Sequence, residues 1–391
     1  MIKKNQIVAF LFAFLAIYYL IANFSIYKSF IVVATMVAML AIGYLSLSKN
    51  IRLKNPELSI IFFAAWAFTY LWSFLANGES IGFGYIVILL YSVMFLNLRN
   101  DFQITIAKYF IWGLSLLCFC SLVEYAVFLT TSRGIVLQEI TRTTIIQNTY
   151  FYQLIFNIIR IGDITLRFQG LADEPGQMGT LCGMLLFLMR RMEMKKFPFF
   201  VILVSGLLSF SLAFYILLII ILLTSAEISF KRSILMILVA AVVIWFVQDQ
   251  FNEKIVERIS DTENIDNRTG EVFDAYFNVA VTSGQIWTGI GGEQVANIAE
   301  YSGSGQAGVK VFILQYGAIC TLLIFLTYNY LYIAKSRGKL ERYDWLFLLA
   351  FWLSFYQRQN IYLPFTIIIF FTIPIAKSYL NYHTSKSNEK A

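Results

Sequence analysis

The sequence predicts an all-α protein, a polytopic integral membrane helix bundle of about twelve transmembrane helices with two long loops on its outer side. Three observations carry this expectation. Of the 391 residues, 59% are hydrophobic and only 14% charged, and the mean hydropathy is +0.70; a soluble chain carries about a quarter charged residues. Too few polar side chains are present to cover a water-facing surface, so lipid is the expected solvent. Apolar runs long enough to cross a bilayer recur along the chain, and Lys and Arg gather on alternate connections between them.

Lys3 and Lys4 precede an apolar run at 7–24. That run is long for a signal peptide and no small-x-small site follows it, so an uncleaved first helix is expected. Further spans fall at 30–47, 58–76, 81–98 and 104–130, then at 233–248, 307–333, 344–357 and 361–377. Arg190, Arg191, Lys195 and Lys196 interrupt the apolar region 176–226 and leave a short helix at 176–189. The remainder, from Phe197 to Ala226, reads as one long helix or as two short ones that turn near Ser209.

Charge decides between the two, because cytoplasmic connections are enriched in Lys and Arg. With two short helices, most of the 30 basic residues fall inside and most of the 23 acids outside. With one long helix, the cluster of Lys335, Arg337, Lys339 and Arg342 is forced outside. Two helices are therefore expected, hence about twelve spans with both termini cytoplasmic. Such short helices must tilt or break partway through a hydrocarbon layer of about 30 Å. The whole chain, 1–391, reads as a single membrane domain.

Two outer segments, 131–175 and 249–306, are too long to be mere turns, and long connections in a compact protein usually carry function or are disordered. Both contain apolar stretches. Ile145 to Ile159 mixes aromatic and β-branched residues with Gln147, Asn148, Gln153 and Asn157, and Phe273, Tyr276, Phe277 and Ala280 recur at helical spacing. Such segments suit a membrane interface, a re-entrant cap or packing onto the bundle.

Some chemistries are disfavoured at once. Cys118, Cys120, Cys182 and Cys320 all lie in apolar runs, which suits packing rather than disulfides. The one histidine, His383, is in the polar C-terminal tail. It cannot serve a Ser-His-Asp triad on the outer side, and no Cys/His set has metal-ligand spacing. No cofactor or metal is expected, and nucleic acid is not an expected partner.

Polar investment concentrates instead at three loop–helix junctions. In RFQGLADEPGQMG, Arg167 to Gly179, Pro175 suits a first helical turn, and Asp173 and Glu174 can cap it or complement its dipole. Arg167 needs an anion or a wet cavity beside an apolar bundle. It can pair with those acids, or it can grip a diphosphate bidentately. In NRTGEVFDAYFNVAVTSGQIWTGIGGE, Asn267 to Glu293, Arg268 precedes an amphipathic stretch that ends in a turn with Gly289, Gly291 and Gly292. That turn either offers backbone N–H groups to an anion or is only a turn. In YQRQN, Tyr356 to Asn360, Arg358 lies outside against the charge bias, where it can reach lipid phosphates or join the other two arginines at one cavity.

These residues resemble the Wzy-type O-antigen and polysaccharide repeat-unit polymerases. The pattern R-x-x-G-x-x-x-E-P from Arg167 to Pro175, with small residues after it, carries the resemblance. So does the order of Arg268, amphipathic stretch, G-x-G-G turn and a helix with Q-Y-G at Gln315 to Gly317. The segment Val201 to Phe214, with VSGLLSFSLAF, is similar to the family's serine-rich hinge but lacks its arginine. The resemblance implies a bacterial inner-membrane enzyme whose two long loops are periplasmic. It implies glycosyl transfer from a growing glycan on undecaprenyl diphosphate to a new lipid-linked repeat unit, with no nucleotide sugar and no required metal. Arg167 and Arg268 are then the diphosphate clamp, Arg358 a third cation, Glu174 the general base and Asp173 its second candidate. Membrane lipid, a chain-length regulator and a flippase are the partners it implies.

The related O-antigen ligases use a periplasmic histidine at a fixed distance before a glycine. Gln306 stands at that distance before Gly317, which favours polymerase over ligase. A transporter or flippase calls for midplane charges and broken helices in related halves. Glu124 and Lys108 instead lie toward helix ends, and a purely structural membrane protein is the remaining alternative.

Overall fold

The computed structural model describes residues 4–21, 43, 56–78, 82–131, 136–143, 147–153, 158–161, 167–172, 174–224, 271–302, 308–358 and 360–388. The expected span at 30–47 except residue 43, the span at 233–248, and Asp173, Arg268 and Gln306 lie outside these residues. The described helices are α1 (Lys4–Ile21), α2 (Pro56–Asn77), α3 (Phe83–Asn97), α4 (Asn100–Thr131), α5 (Pro175–Arg191), α6 (Lys196–Leu208) and α7 (Leu212–Leu223). They continue with α8 (Glu271–Thr282), α9 (Gly292–Ser302), α10 (Val309–Lys335), α11 (Arg342–Gln357) and α12 (Pro364–Asn388).

Helices α2, α4 and α10 are long and apolar enough to cross a membrane. Their amphipathicity is inverted relative to a soluble bundle. Helix α2 turns Ser59, Thr69 and Ser73 inward beside Phe62 and Trp66, and leaves Ile60, Leu71 and Leu75 exposed. The inner hydroxyls are tied to their own helix, as where Thr69 Oγ1 donates to the Ala65 carbonyl at 2.9 Å. An outer surface of this kind suits hydrocarbon and not water.

Helix α12 behaves differently. From Ile367 to Ile373 every side chain is buried, because α12 packs against α1, α3, α4, α5, α10 and α11. A helix that is apolar all round and enclosed by protein is a core helix. Its apolar run resembles that of α2 in the sequence, yet its solvent is other side chains.

The expected break near Ser209 is present: α6 and α7 form a hairpin of 13 and 12 residues, about 20 and 18 Å long at 1.5 Å per residue. At its open end Arg190 of α5 donates to the Ile221 carbonyl at 2.6 Å and to Thr224 Oγ1 at 2.5 Å. These bonds satisfy acceptors left over where a helix ends.

The all-α expectation needs one correction. Within 131–175, residues Val136–Thr143, Gln147–Gln153 and Ile158–Ile161 form a three-stranded antiparallel sheet, β1-β2-β3. Glu139 pairs with Phe151 and Phe151 with Ile159. The β-branched and aromatic residues of this stretch favour a pleated surface, and that preference prevails over a helix or re-entrant reading. The Ile158 N–H donates to the Gly170 carbonyl at 3.1 Å, which ties the sheet to the segment entering α5.

In the second long loop, α8, a 3-10 turn (Gln285–Trp287) and α9 lie on the first half of α10. Phe273, Ala280 and Val295 pack there on Val311 and Leu314. The glycine-rich turn is a docking device. The Ile290 N–H donates to the Leu314 carbonyl at 2.7 Å, and Gly289 meets Gly317, where α10 kinks at φ 85°, ψ 156°.

The basic cluster expected inside forms one end of the bundle. Arg191 of α5 bridges Asp344 and Glu341, each at 3.3 Å, and its guanidinium lies 4.7 Å from the Tyr343 ring centroid. Lys377 of α12 also binds Glu341. Nearby at the end of α10, buried Lys335 donates to Gln103 Oε1 at 2.7 Å. The Lys377 ammonium, with Arg191 beside it, holds the Glu341 carboxyl below its ordinary range. A depressed carboxyl adds stability at neutral pH that is lost as pH falls through the carboxylate range. Since both partners are about half exposed, the gain is at most about 1 kcal/mol. Lys377→Met is therefore expected to shrink the loss of apparent Tm between pH 7 and pH 4. An undiminished loss would assign the acid sensitivity to other groups.

Candidate functional site

The opposite end of the bundle gathers the first turn of α5, the α6–α7 turn and the end of α11. Pro175 occupies the first turn of α5, as its missing N–H permits. Glu174 is the N-cap residue, but its side chain makes no capping bond. Its carboxylate instead takes a hydrogen bond from Arg358 Nη2 at 2.8 Å. Glu174 is exposed, whereas the Arg358 side chain is only 12% exposed. The buried Arg358 Nε has no hydrogen-bond partner. The capping expectation for Glu174 is thus replaced by an ion pair between α5 and the end of α11.

Small residues make this approach possible. A Cβ on Gly176 would lie 2.5 Å from Arg358 Nη2, and one on Gly179 would lie 2.4 Å from Ser211 Cβ. One turn further along the same face, a Cβ on Gly183 would lie 2.5 Å from Leu217 Cδ1. The stripe Gly176, Gly179 and Gly183 lets the hairpin close onto α5, as small residues do between membrane helices.

Arg167 stands on the hairpin side. Its Nε donates to the Ser209 carbonyl and its Nη2 to the Phe210 carbonyl, both at 3.1 Å. The neighbouring Phe168 N–H donates to the Leu208 carbonyl at 2.9 Å. The planar guanidinium thus spans two carbonyls at the end of α6, where acceptors are unpaired and the dipole is negative. Phe210 holds φ 46°, a left-handed conformation costly for a bulky residue.

Between α5, α11 and α12 lies a cleft of about 480 Å³, its open mouth included. Arg358 and Gln177 stand at one end, and Leu181, Met184, Phe351 and Ile369 line the rest. Thr180 and Ser354 also face it, but their hydroxyls donate to the Gly176 and Ala350 carbonyls of their own helices. Apart from Gln177 and Thr366 the wall is therefore apolar in effect, and its one charged lining residue is Arg358.

The structure pairs Glu174 with Arg358 at the start of α5 and holds Arg167 on the α6–α7 turn, while Asp173 and Arg268 lie outside the described residues. What the sequence did not reveal is the role of Ser209 to Ser211 as the surface between these arginines. The signals that pointed to it were the turn near Ser209 and the serine-rich segment Val201 to Phe214. Among the described residues, no three His, Cys, Asp or Glu side chains gather as a metal site. Comparison with protein families, with curated proteins and with solved structures returns no match.

Proposed function

We propose that this chain is a multi-pass inner-membrane polymerase of lipid-linked glycan repeat units, with about twelve spans, both termini cytoplasmic and the Arg167–Arg358 end periplasmic. The observation that carries the reading is the Glu174–Arg358 ion pair at the first turn of α5, with Arg167 held on the adjoining α6–α7 turn. Both lie at the end of the bundle opposite Arg191 and Lys335. The R-x-x-G-x-x-x-E-P resemblance supports the same assignment. A basic cytoplasmic end agrees with the usual charge bias.

In the reaction, an acceptor sugar hydroxyl attacks the anomeric carbon of the growing glycan. The bond from that carbon to the diphosphate oxygen breaks, and undecaprenyl diphosphate leaves with the electron pair. The hydroxyl proton passes to the Glu174 carboxylate, or to Asp173. Arg358, Arg167 and Arg268 meet the charge on the leaving diphosphate, where fixed donors in a dry site act most strongly. Arg358 neutralises Glu174 in the resting protein. Transfer of Arg358 to the diphosphate frees that carboxylate for the proton.

The test is complementation of a polymerase-deleted host of the same glycan type, with the surface polysaccharide run on a gel. Wild type is expected to restore a ladder, and Arg167→Ala, Arg268→Ala and Glu174→Ala to collapse it to single repeat units. Loss of all surface glycan in the deleted host, reversed by wild type, would point to a ligase or flippase. A ladder that survives all three substitutions would remove this site.

A further inference from the structure

The second long loop carries apolar surface that its packing on α10 does not use. Around α8, at about 100° per residue, three sectors follow one another. Phe273, Phe277 and Ala280 pack on Val311 and Leu314 of α10. Ala275, Tyr276 and Val279 form the next sector, and all three are exposed. Asp274 and Asn278 mark the third, where Lys310 Nζ reaches the Asp274 carboxylate at 3.1 Å. Val281, also exposed, widens the apolar arc on the other side of the packed sector. The apolar arc is thus wider than the protein contact beneath it, and only the narrow third sector suits water. A helix divided in this way fits a lipid–water boundary.

The neighbouring elements indicate what covers the exposed sector. Trp287, in the 3-10 turn that follows α8, is 60% exposed, and its carbonyl sits against the Gly317 kink of α10. The loop covers Val311 and Leu314 before that kink, whereas past it α10 turns Ile319, Leu322 and Leu326 outward. Val279, at 59%, is as exposed as Leu322, at 57%, and α10 is long and apolar enough to cross a membrane. The loop therefore ends where the outward apolar stretch of α10 begins, with a tryptophan at the join, the residue favoured at membrane boundaries. Helix α9, on the same half of α10, differs. Its exposed residues include Glu293, Gln294 and Asn297, which suit water.

We infer that α8 and the 3-10 turn are a lipid-docking face: α8 lies along the bilayer surface, with Tyr276, Val279 and Trp287 set into the leaflet around the first half of α10 and Asp274 and Asn278 in water. The inference uses the membrane reading of α10 and no catalytic assignment. One arc of α8 holds the loop to α10 and the other holds it to lipid, so the level of the Gly317 kink is tied to the bilayer surface.

A nitroxide on Val279→Cys, in the full-length protein with Cys120→Ser and in phosphatidylcholine nanodiscs, reads which medium meets this face. Cys118, Cys182 and Cys320 are buried, so Cys120 is the one native thiol that needs removal. Oxygen, which concentrates in hydrocarbon, is expected to relax the label more strongly than a water-soluble nickel chelate, at a depth of about 5–10 Å. Trp287→Cys is expected to agree with it, and Asn278→Cys and Asn297→Cys to show the reverse order. Stronger relaxation by nickel at Val279→Cys would put the face in water and overturn the inference. Poor access for both reagents would show that a protein, or a second copy of this chain, covers the face, and would overturn it as well. The readout is independent of polymer formation. A working polymerase whose Val279 label lies in water loses only this inference, and a chain that makes no polymer but holds that label in lipid keeps it.

Discussion

Gly317→Ala is expected to unseat the second loop from α10 and to cost the protein much of its stability. At φ 85° and ψ 156° the position lies where only glycine is unstrained, and another residue there costs about 1–3 kcal/mol from backbone strain alone. The added Cβ would also lie 2.4 Å from the Trp287 carbonyl oxygen and 2.7 Å from the Thr288 carbonyl carbon. Both are backbone atoms, so no rotamer change relieves the contact. Together these put the loss above about 3 kcal/mol, the range reserved for overpacking and strain.

The measurement is thermal exposure of the buried thiols Cys118, Cys182 and Cys320 to a thiol-reactive dye. Cys320 lies just beyond the kink. Gly289→Ala is the partner experiment, since its Cβ would lie 2.7 Å from the Gly317 nitrogen. If the two glycines share one contact, the double variant loses clearly less than the sum of the single losses. Additive losses would show that the G-x-G-G turn and the kink are independent.

Arg167→Ala is expected to abolish polymer formation, and Arg167→Lys to recover only a small part of it. The alanine variant strips two charge-assisted bonds from the Ser209 and Phe210 carbonyls. At about 1.5–3 kcal/mol for each such bond the α6–α7 turn loses its main tether. Lysine restores the charge but not the fork, so at most one carbonyl is kept. Ladder intensity is expected to fall at least about tenfold with lysine, by the worth of the missing bond. Full polymer with lysine would show that neither a forked clamp nor a forked tether is needed. The thiol-exposure assay separates the two roles. A lysine variant that melts like wild type yet makes little polymer places the fork in the reaction and not in the scaffold.

The apolar helices were legible because they depend on local transfer energy. Any stretch as apolar as Phe83 to Asn97 leaves water whatever lies beside it. The hairpin break was legible for a related reason, since the Lys335 to Arg342 cluster falls on the basic side only if the chain turns near Ser209. The free cysteines needed only their apolar neighbours. Arg167, Glu174 and Arg358 were legible as unusual charges, but not as partners, because Glu174 and Arg358 are 184 residues apart. The sheet at 136–161 was missed because a strand is chosen by its cross-strand neighbours, and a mixed aromatic and β-branched run fits more than one context.

What the amino-acid sequence determines alone is therefore the set of apolar helices, three of which, among the described residues, are long and apolar enough to cross a membrane. Their free energy is a sum over residues and needs no knowledge of contacts. What only the tertiary structure decided is which apolar face meets protein and which faces outward. It enclosed α12 and left half of α2 bare, seated Gly289 on Gly317, and turned Glu174 from a helix cap into the counter-ion of Arg358. Each of these depends on two segments distant in sequence meeting within a few ångströms, and pairwise packing at that range is not encoded in either segment by itself.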